Sequence, residues 1–368
     1  MGTITQTIAN NLTTGLGGAS GINFRNIIIN GDMSIAQRGT SATGIGVGYY
    51  TCDRWRSQRQ IGGFTQTQAT DVPTGQGFAT SLKMDCTTAD ASPASNGQLA
   101  IQQRLEGQNL QYIKKGTPNA ESLTMSFWVK SNKTGTYTAE IFDEDNTRQI
   151  TRTYTIDSAD TWEKKTLTFA GDTTGTLDND NDRSFEVLWW LGTGSDKTSG
   201  TYTDGVWQAN VNANRLTSSQ VNLADSTSND WYITGVQLEA GTSASDFEFL
   251  PYDVNLARCQ RYFFTEPNTD AYHGVCNGYF IVTTLFLGTL SVGVPLRTSP
   301  SLSVSGSFSC QAVGADLAAS SFTVNDSEGN NLTKIQIRAT VSGATAGQGT
   351  QLRNTNDTSA KFQLNSEL

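Results

Sequence analysis

Short runs in which apolar and polar residues alternate at every second position dominate the chain, with turn residues between them. That period sends successive side chains to opposite faces of a strand, so each run predicts a half-buried β-strand. FTQTQAT, SLKMDCTT, QLAIQQRL, LTMSFWVKS, TYTAEIFD, TRTYTID, EKKTLTFAG and FEVLWWLG all read this way. In LTMSFWVKS, Leu123, Met125, Phe127 and Val129 share one face, and Ser126 and Trp128 take the other. No segment of crossover-helix length separates the runs, which favours a sandwich or jelly roll over a parallel sheet. Ahead of them, FRNIIINGDMSIAQRGT predicts a β-rich stretch closed by a turn at Asn30-Gly31.

Residues 231–262 form a seam. Trp231, Ile233 and Val236 predict a closing strand, and Pro251 then opens a short helix through Leu256 and Cys259. Proline suits a first helical position because its missing N–H would have no partner there. Beyond the seam, YFIVTTLFLGTLSVGVPL, SLSVSGSFSCQAV, SFTVNDSEGNNLTKIQIRATVSG and SAKFQLNSEL repeat the alternation on a smaller scale. Lys334, Gln336 and Arg338 alternate with Ile335 and Ile337, and the last run ties the tail into a sheet. The expected architecture is all-β: an N-terminal arm over 1–22, a jelly-roll β-sandwich over 23–250, a short linking helix over 251–260 and a smaller C-terminal β-sandwich over 261–368. The arm is polar and glycine-rich, with Ile4, Ile8 and Leu12 at helical spacing. It reads either as a loose terminus or as an attachment segment that orders against a larger assembly.

Composition narrows the class. Charged residues are 16% and hydrophobic ones 36%, without the Ala, Glu, Lys and Leu enrichment of long helices. A net charge of −9 lacks the basic footprint of a nucleic-acid binder, so no nucleic-acid partner is expected. The most apolar run, 279–290, is too short for a helix across a bilayer, and MGTITQTIANNLTT lacks the positive start and apolar core of a signal peptide. A soluble protein without membrane insertion is therefore expected. Cys52, Cys86, Cys259, Cys276 and Cys310 form no CxxC pair and are odd in number, which points to reduced, buried thiols made in a reducing cytoplasm.

Candidate chemistry is sparse. The single histidine, His273, stands beside Tyr272 in a loop, and neither GxSxG nor HExxH occurs, so no catalytic role is expected. Asp178, Asp180 and Asp182 alternate as at the opening of a calcium loop. Arg183 takes the place of the turn glycine and no later Glu completes the set, so a structural calcium and a solvated hairpin turn both stand as readings. No other cofactor is expected. Trp189 and Trp190 are adjacent on one strand and must face opposite ways. An outward indole suits stacking on a sugar ring, with Tyr202 and Trp207 as a rim; core burial or subunit contact is the other reading. In the group Asp53-Arg54-Trp55-Arg56, strand alternation places both arginines on one side, to be read either as an Arg stacked over an aromatic or paired to a carboxylate at a domain edge, or as a ligand site.

In order along the chain, FRNIIINGDMSIAQRGTS, YYTCDRWR, LTMSFWVKSNKTGTYT, TWEKKTLTFAGDTTGT, DWYITGVQLEAG, ARCQRYF and KFQLNSEL resemble phrases of bacteriophage tail-fibre and other virion-surface proteins. The resemblance implies a carbohydrate-binding-module-like jelly roll followed by a C-terminal β-domain that faces the host. It implies a non-enzymatic tail fibre of the virion, made in the host cytoplasm, attached to other tail or baseplate proteins and binding a bacterial surface glycan or protein receptor. A homotrimer is expected, with 279–290 read either as a subunit contact or as an ordinary buried strand pair. Receptor contact is expected around 270–277, at Tyr272 and His273. A glycan-modifying depolymerase or esterase, and a head fibre or decoration protein, are the alternatives.

Overall fold

A computed structural model describes residues 24–266, 270–325 and 332–368; the arm expected over 1–22 lies outside them. The chain divides into two compact units, Met1–Pro251 and Tyr252–Leu368.

In the first unit, β1 (Ser41–Thr43), β2 (Val47–Tyr49) and β3 (Arg56–Arg59) precede β4 (Gly63–Ala69), β5 (Ser81–Thr88) and β6 (Gln98–Glu106). Next come β7 (Leu123–Ser131), β8 (Gly135–Asp143), β9 (Arg148–Ile156) and β10 (Glu163–Phe169). β11 (Arg183–Thr193), β12 (Gln208–Ala209) and β13 (Asp230–Ala240) complete it. They make a two-sheet jelly-roll sandwich, one sheet ordered β1-β4-β5-β13-β7-β10 and the other β12-β9-β8-β11-β6-β3-β2. All eight runs with period-2 alternation are strands here, as expected from their patterning.

The core between the sheets is filled by the inward faces of both. Leu123, Met125, Phe127 and Val129 of β7 are fully or almost fully buried and meet Ile101, Val187 and Trp189 from the other sheet. On β13, Trp231 and Ile233 point inward, as do Val236 and Leu238. That change of parity is possible because a bulge inserts one residue between Thr234 and Gln237 relative to β7, with Gly235 at φ 61°.

Residues 24–40 correct the expectation of a β-rich run: they contain no strand up to β1. Their backbone groups bond instead to side chains and to the bulge in β13. Asn26 Oδ1 accepts from the amides of Ile28 at 3.0 Å and Leu238 at 3.1 Å, and the Val236 amide donates to the Gly31 carbonyl at 2.9 Å. Asn30, at φ 58°, accepts the Ile35 amide and donates to the Ile35 and Asp53 carbonyls. Glu248 accepts from the amides of Phe24, Arg25 and Asn26. The phrases around Asn26, Trp55 and Val236 thus meet in space as one buried polar knot that closes the sandwich.

In the second unit, α1 (Tyr252–Gln260) follows Pro251. β14 (Phe263–Thr265), β15 (Gly274–Val282), β16 (Leu285–Ser291), β17 (Ser301–Ser305) and β18 (Phe308–Ala312) come next. β19 (Ala315–Val324), β20 (Lys334–Thr340), β21 (Gly349–Asn354) and β22 (Lys361–Asn365) follow. The all-β expectation holds, and its form is more specific than two facing sheets. Six strands close on themselves as a barrel, β15-β16-β20-β19-β18-β21, accompanied by a three-stranded sheet β14-β22-β17. Closure removes the free edges that an open sheet leaves. Ile335 and Ile337 point into the barrel core with Phe280, Phe286 and Leu352. The final strand lies between β14 and β17, and Arg297 donates to the carbonyls of Ser366 and Glu367. Among the described residues no helix is long and apolar enough to cross a membrane.

Candidate functional site

Antiparallel register places the outward side chains of the seven-stranded sheet in rows. Tyr49 lies opposite Arg56, Arg56 opposite Gln102, Gln102 opposite Leu188 and Leu188 opposite Glu140. In the next row Arg104 is opposite Glu186, Glu186 opposite Phe142, Phe142 opposite Gln149 and Gln149 opposite Gln208. Directly opposed residues project to one side of a sheet, so these groups form a single surface.

One part of that surface is covered. Segment 195–221 crosses it: Arg215 forms a two-point ion pair with Glu140 at 2.9 Å for each bond, and the Gln220 amide donates to the Trp190 carbonyl at 3.1 Å. Trp190 is fully buried among Ala100, Leu188 and Leu216, and its indole Nε1 donates to Glu140 Oε2. The Arg215 guanidinium and the Lys197 ammonium lie 5.2 and 5.7 Å from its ring centre. Beside it Gln149, Thr151 and Thr138 are buried, and the Gln149 amide and both hydroxyls have no protein partner. Buried polar atoms of this kind are normally met by ordered water or by a ligand.

The other part is open. Tyr49, Arg56, Gln58, Arg104 and Glu186 are half-buried, as side chains standing on an uncovered sheet face are. Glu186 accepts from Arg104 Nε at 2.8 Å and from Arg183 Nη1 at 2.7 Å. Arg56 Nη1 donates to Gln58 Oε1 at 2.7 Å, and Gln102 is oriented to accept from Arg56 at 2.8 Å and Arg104 at 3.3 Å.

On this face the Arg38 guanidinium lies 5.3 Å from the Tyr49 ring centre, and the opposite sheet is alike in this respect. Its outward aromatics Tyr232 and Trp162 are taken by lysines, with Lys130 at 4.4 Å and Lys83 at 5.3 Å from the Tyr232 ring centre and Lys130 at 5.8 Å from Trp162. A cleft of about 260 Å³ lined by Leu110, Gln111, Lys114, Lys115, Thr117, Thr176 and Leu177 is below the usual ~300–1,000 Å³ of small-molecule sites.

The expected aromatic rim does not assemble. Trp189 faces the core, 5.3 Å from Trp55 and 6.0 Å from Phe127 between ring centres, and Trp190, though outward, is roofed by segment 195–221. Neither offers a ring to solvent. Trp207 closes an edge of the core, its Nε1 donating to the Ala170 carbonyl at 2.7 Å and its ring 6.2 Å from Phe185. Tyr202 donates to Asp204 Oδ1 at 2.7 Å; burial first, and then the Asp204 carboxylate, push its phenol well above the ordinary value.

Asp178, Asp180 and Asp182 form an exposed turn. The carbonyls of Asp180 and Asp182 accept the amides of Gln108 and Gly107, and Asp180 Oδ1 accepts the Asp182 amide at 3.0 Å. Among the described residues no group of three or more His, Cys, Asp or Glu side chains is placed to hold a metal ion. In the second unit Tyr272 is exposed under Arg353, whose guanidinium lies 4.7 Å from the ring centre. His273 has Nε2 3.5 Å from the Glu266 carboxylate, and its backbone amide donates to Asn354 Oδ1 at 3.1 Å.

Sequence reasoning missed Lys115. Its buried ammonium sits 2.6 Å from Asp143 and 3.2 Å from Asp172, and donates to the carbonyls of Thr174 and Gly175 at 2.8 Å. Nothing in the dipeptide Lys114-Lys115 marks which lysine turns inward; the exposed Lys114 pairs with Glu121.

No protein-family model matches the chain, and no curated protein matches it. Among solved structures, it is similar to the enzymatically active domain of bacteriophage CBA120 tailspike protein 4, at 14% identity and TM-score 0.31, over 59% of this chain. This chain spans only 22% of that tailspike domain. It is also similar to the carbohydrate-binding module TmCBM61 in complex with β-1,4-galactotriose, at 9% identity and TM-score 0.29, covering 59% of this chain and 99% of the module. A third is the family 11 carbohydrate-binding module from Clostridium thermocellum in complex with a mixed-linked tetrasaccharide, at 12% identity and TM-score 0.28, covering 56% and 98%.

Proposed function

We propose that this chain is a non-catalytic glycan-binding component of a phage tail fibre that attaches the virion to a bacterial surface. The observation that carries the reading is the outward face of the seven-stranded sheet, where Tyr49, Arg56, Gln58 and Arg104 stand half-buried on an uncovered surface above the buried Gln102. A saccharide presents many hydroxyls and one apolar ring face, and a rigid row of amides and guanidiniums beside an aromatic ring is chemically matched to it. The seven phrases that resemble virion-surface proteins supply the tail-fibre part of the reading. Several copies on one particle turn weak single-site binding into firm attachment.

The homotrimer belongs to the same proposal. The β15–β16 hairpin buries Phe280, Phe286 and Leu290, while Tyr279, Ile281 and Val282 remain exposed on its other side, where sister chains have apolar surface to cover. Light scattering of the purified chain should give three times the monomer mass.

The function is tested with the full chain on an array of bacterial surface polysaccharides. Binding is expected to at least one glycan, without released reducing ends, to be lost in Tyr49→Ala/Gln58→Ala and to persist in Tyr272→Ala. No binding, binding indifferent to the double variant, or cleavage would each overturn the proposal.

A further inference from the structure

Arg56 differs from its neighbours on the sheet face. Arg104 and Arg183 share the Glu186 carboxylate, Arg183 also reaches Glu144, and Arg215 is paired with Glu140. Arg56 has no carboxylate within ion-pairing distance among the described residues, and its Nη1 is met only by the neutral amide oxygens of Gln58 and Gln102. Desolvation, followed by the Arg104 guanidinium, pushes Arg56 below its ordinary value, so its cation is held at an electrostatic cost. An anion arriving there would relieve that cost and gain a charge-assisted, two-point hydrogen bond.

We infer that Arg56, held from below by the buried Gln102, is the carboxylate-binding point of a subsite for an acidic sugar residue, with Gln58 placed for its hydroxyls and Tyr49 for its ring. The inference rests on the glycan-binding reading and narrows it to anionic saccharides. Register fixes the set: Tyr49 and Gln102 flank Arg56 on the two adjacent strands, and Gln58 is the next outward residue on its own. Arg104 lies next to Gln102 on the same face of β6, paired to Glu186.

The test is calorimetry or ligand-observed NMR on the full chain with glucuronate, galacturonate and N-acetylneuraminate, against glucose, galactose and glucose 6-phosphate. At least one sugar acid should bind in the millimolar range, at least tenfold tighter than its neutral counterpart, and weaken as salt is raised. Arg56→Gln should lower that affinity at least tenfold with an unchanged melting temperature. Arg56→Lys, which keeps charge but not the fork, should recover only part. If the phosphorylated sugar binds and the acids do not, or if Arg56→Gln binds as the wild type does, the carboxylate subsite is wrong. If neutral polysaccharides bind this face regardless of Arg56, the glycan-binding reading survives and this inference fails. If no saccharide of any charge binds, both fall.

Discussion

The indole of Trp190 donates to the carboxylate of Glu140 at 2.7 Å, and this bond turns an outward aromatic into a structural one. Glu140 is fully buried and also carries the two-point pair with Arg215, so indole, carboxylate and guanidinium form one unit that pins segment 195–221 to the sheet. Glu140→Ala would leave Arg215 half-buried without its anion. Breaking a buried pair by removing one partner costs about 3–5 kcal/mol. A fall of that size in unfolding free energy is expected from urea melts, with a shift in Trp190 fluorescence. Loss below about 1 kcal/mol would mean that the pair behaves as a surface ion pair.

How much of this was legible beforehand depends on where each backbone's partners come from. Leu123, Met125, Phe127 and Val129 were readable because strand alternation is local, and the core only has to receive the face they share. Ile27, Ile28 and Ile29 looked like a strand for the same reason, yet their segment bonds to Asn26, Gln103 and the β13 bulge, partners that no local pattern reveals. Alternation at Ile335 and Ile337 gave an inward face without saying whether the sheet closes. Adjacency sent Trp189 and Trp190 to opposite faces without saying which turns outward; it is Trp190, and the cover that buries it comes from an aperiodic segment. Arg54 and Arg56 looked equivalent. The turn gives Arg54 a φ of 71° and full burial with a bond to the Arg104 carbonyl, whereas Arg56 stands on the sheet face.

Gly31 is held by steric need. A Cβ there would lie 2.1 Å from the Val236 carbonyl oxygen, a backbone atom fixed by the same bulge. Gly31→Ala is expected to cost about 1–3 kcal/mol, read as a lower urea midpoint. Gly293, where an added Cβ meets nothing within 4 Å, is the control. Gly293→Ala should change stability by less than about 0.5 kcal/mol. Equal effects at the two positions would remove the steric account.

All five cysteines are buried free thiols. Burial, joined at Cys276 by Cys310 and Glu266, pushes Cys276 and Cys310 up to about 12, and burial followed by Asp53 raises Cys52 well above its ordinary value. Because the thiolate is the reactive form, native protein at pH 8 should react with a chromogenic disulfide reagent only slowly. All five thiols counted in the sequence should react at once in denaturant. Rapid labelling of the native chain would show that one of these sites opens.

Asp172 ties the loop after β10 to Lys115 and Arg148. Burial pushes its carboxyl up, but the Arg148 hydrogen bonds, the Thr174 amide and the Lys115 ammonium outweigh that and hold it below the ordinary value. A carboxyl depressed in the folded state contributes stability above its unfolded value, about 3.9. That contribution is lost as pH falls through the lower folded value. Asp172→Asn should therefore cost about 3 kcal/mol at pH 7. The gap between wild type and variant should narrow steadily below about pH 4, as the wild-type carboxyl also loses its charge. Thermal melts of both proteins from pH 7 to pH 3 measure this. A gap of constant size across that range would mean that shape and hydrogen bonding, rather than the charge on Asp172, hold Lys115 in place.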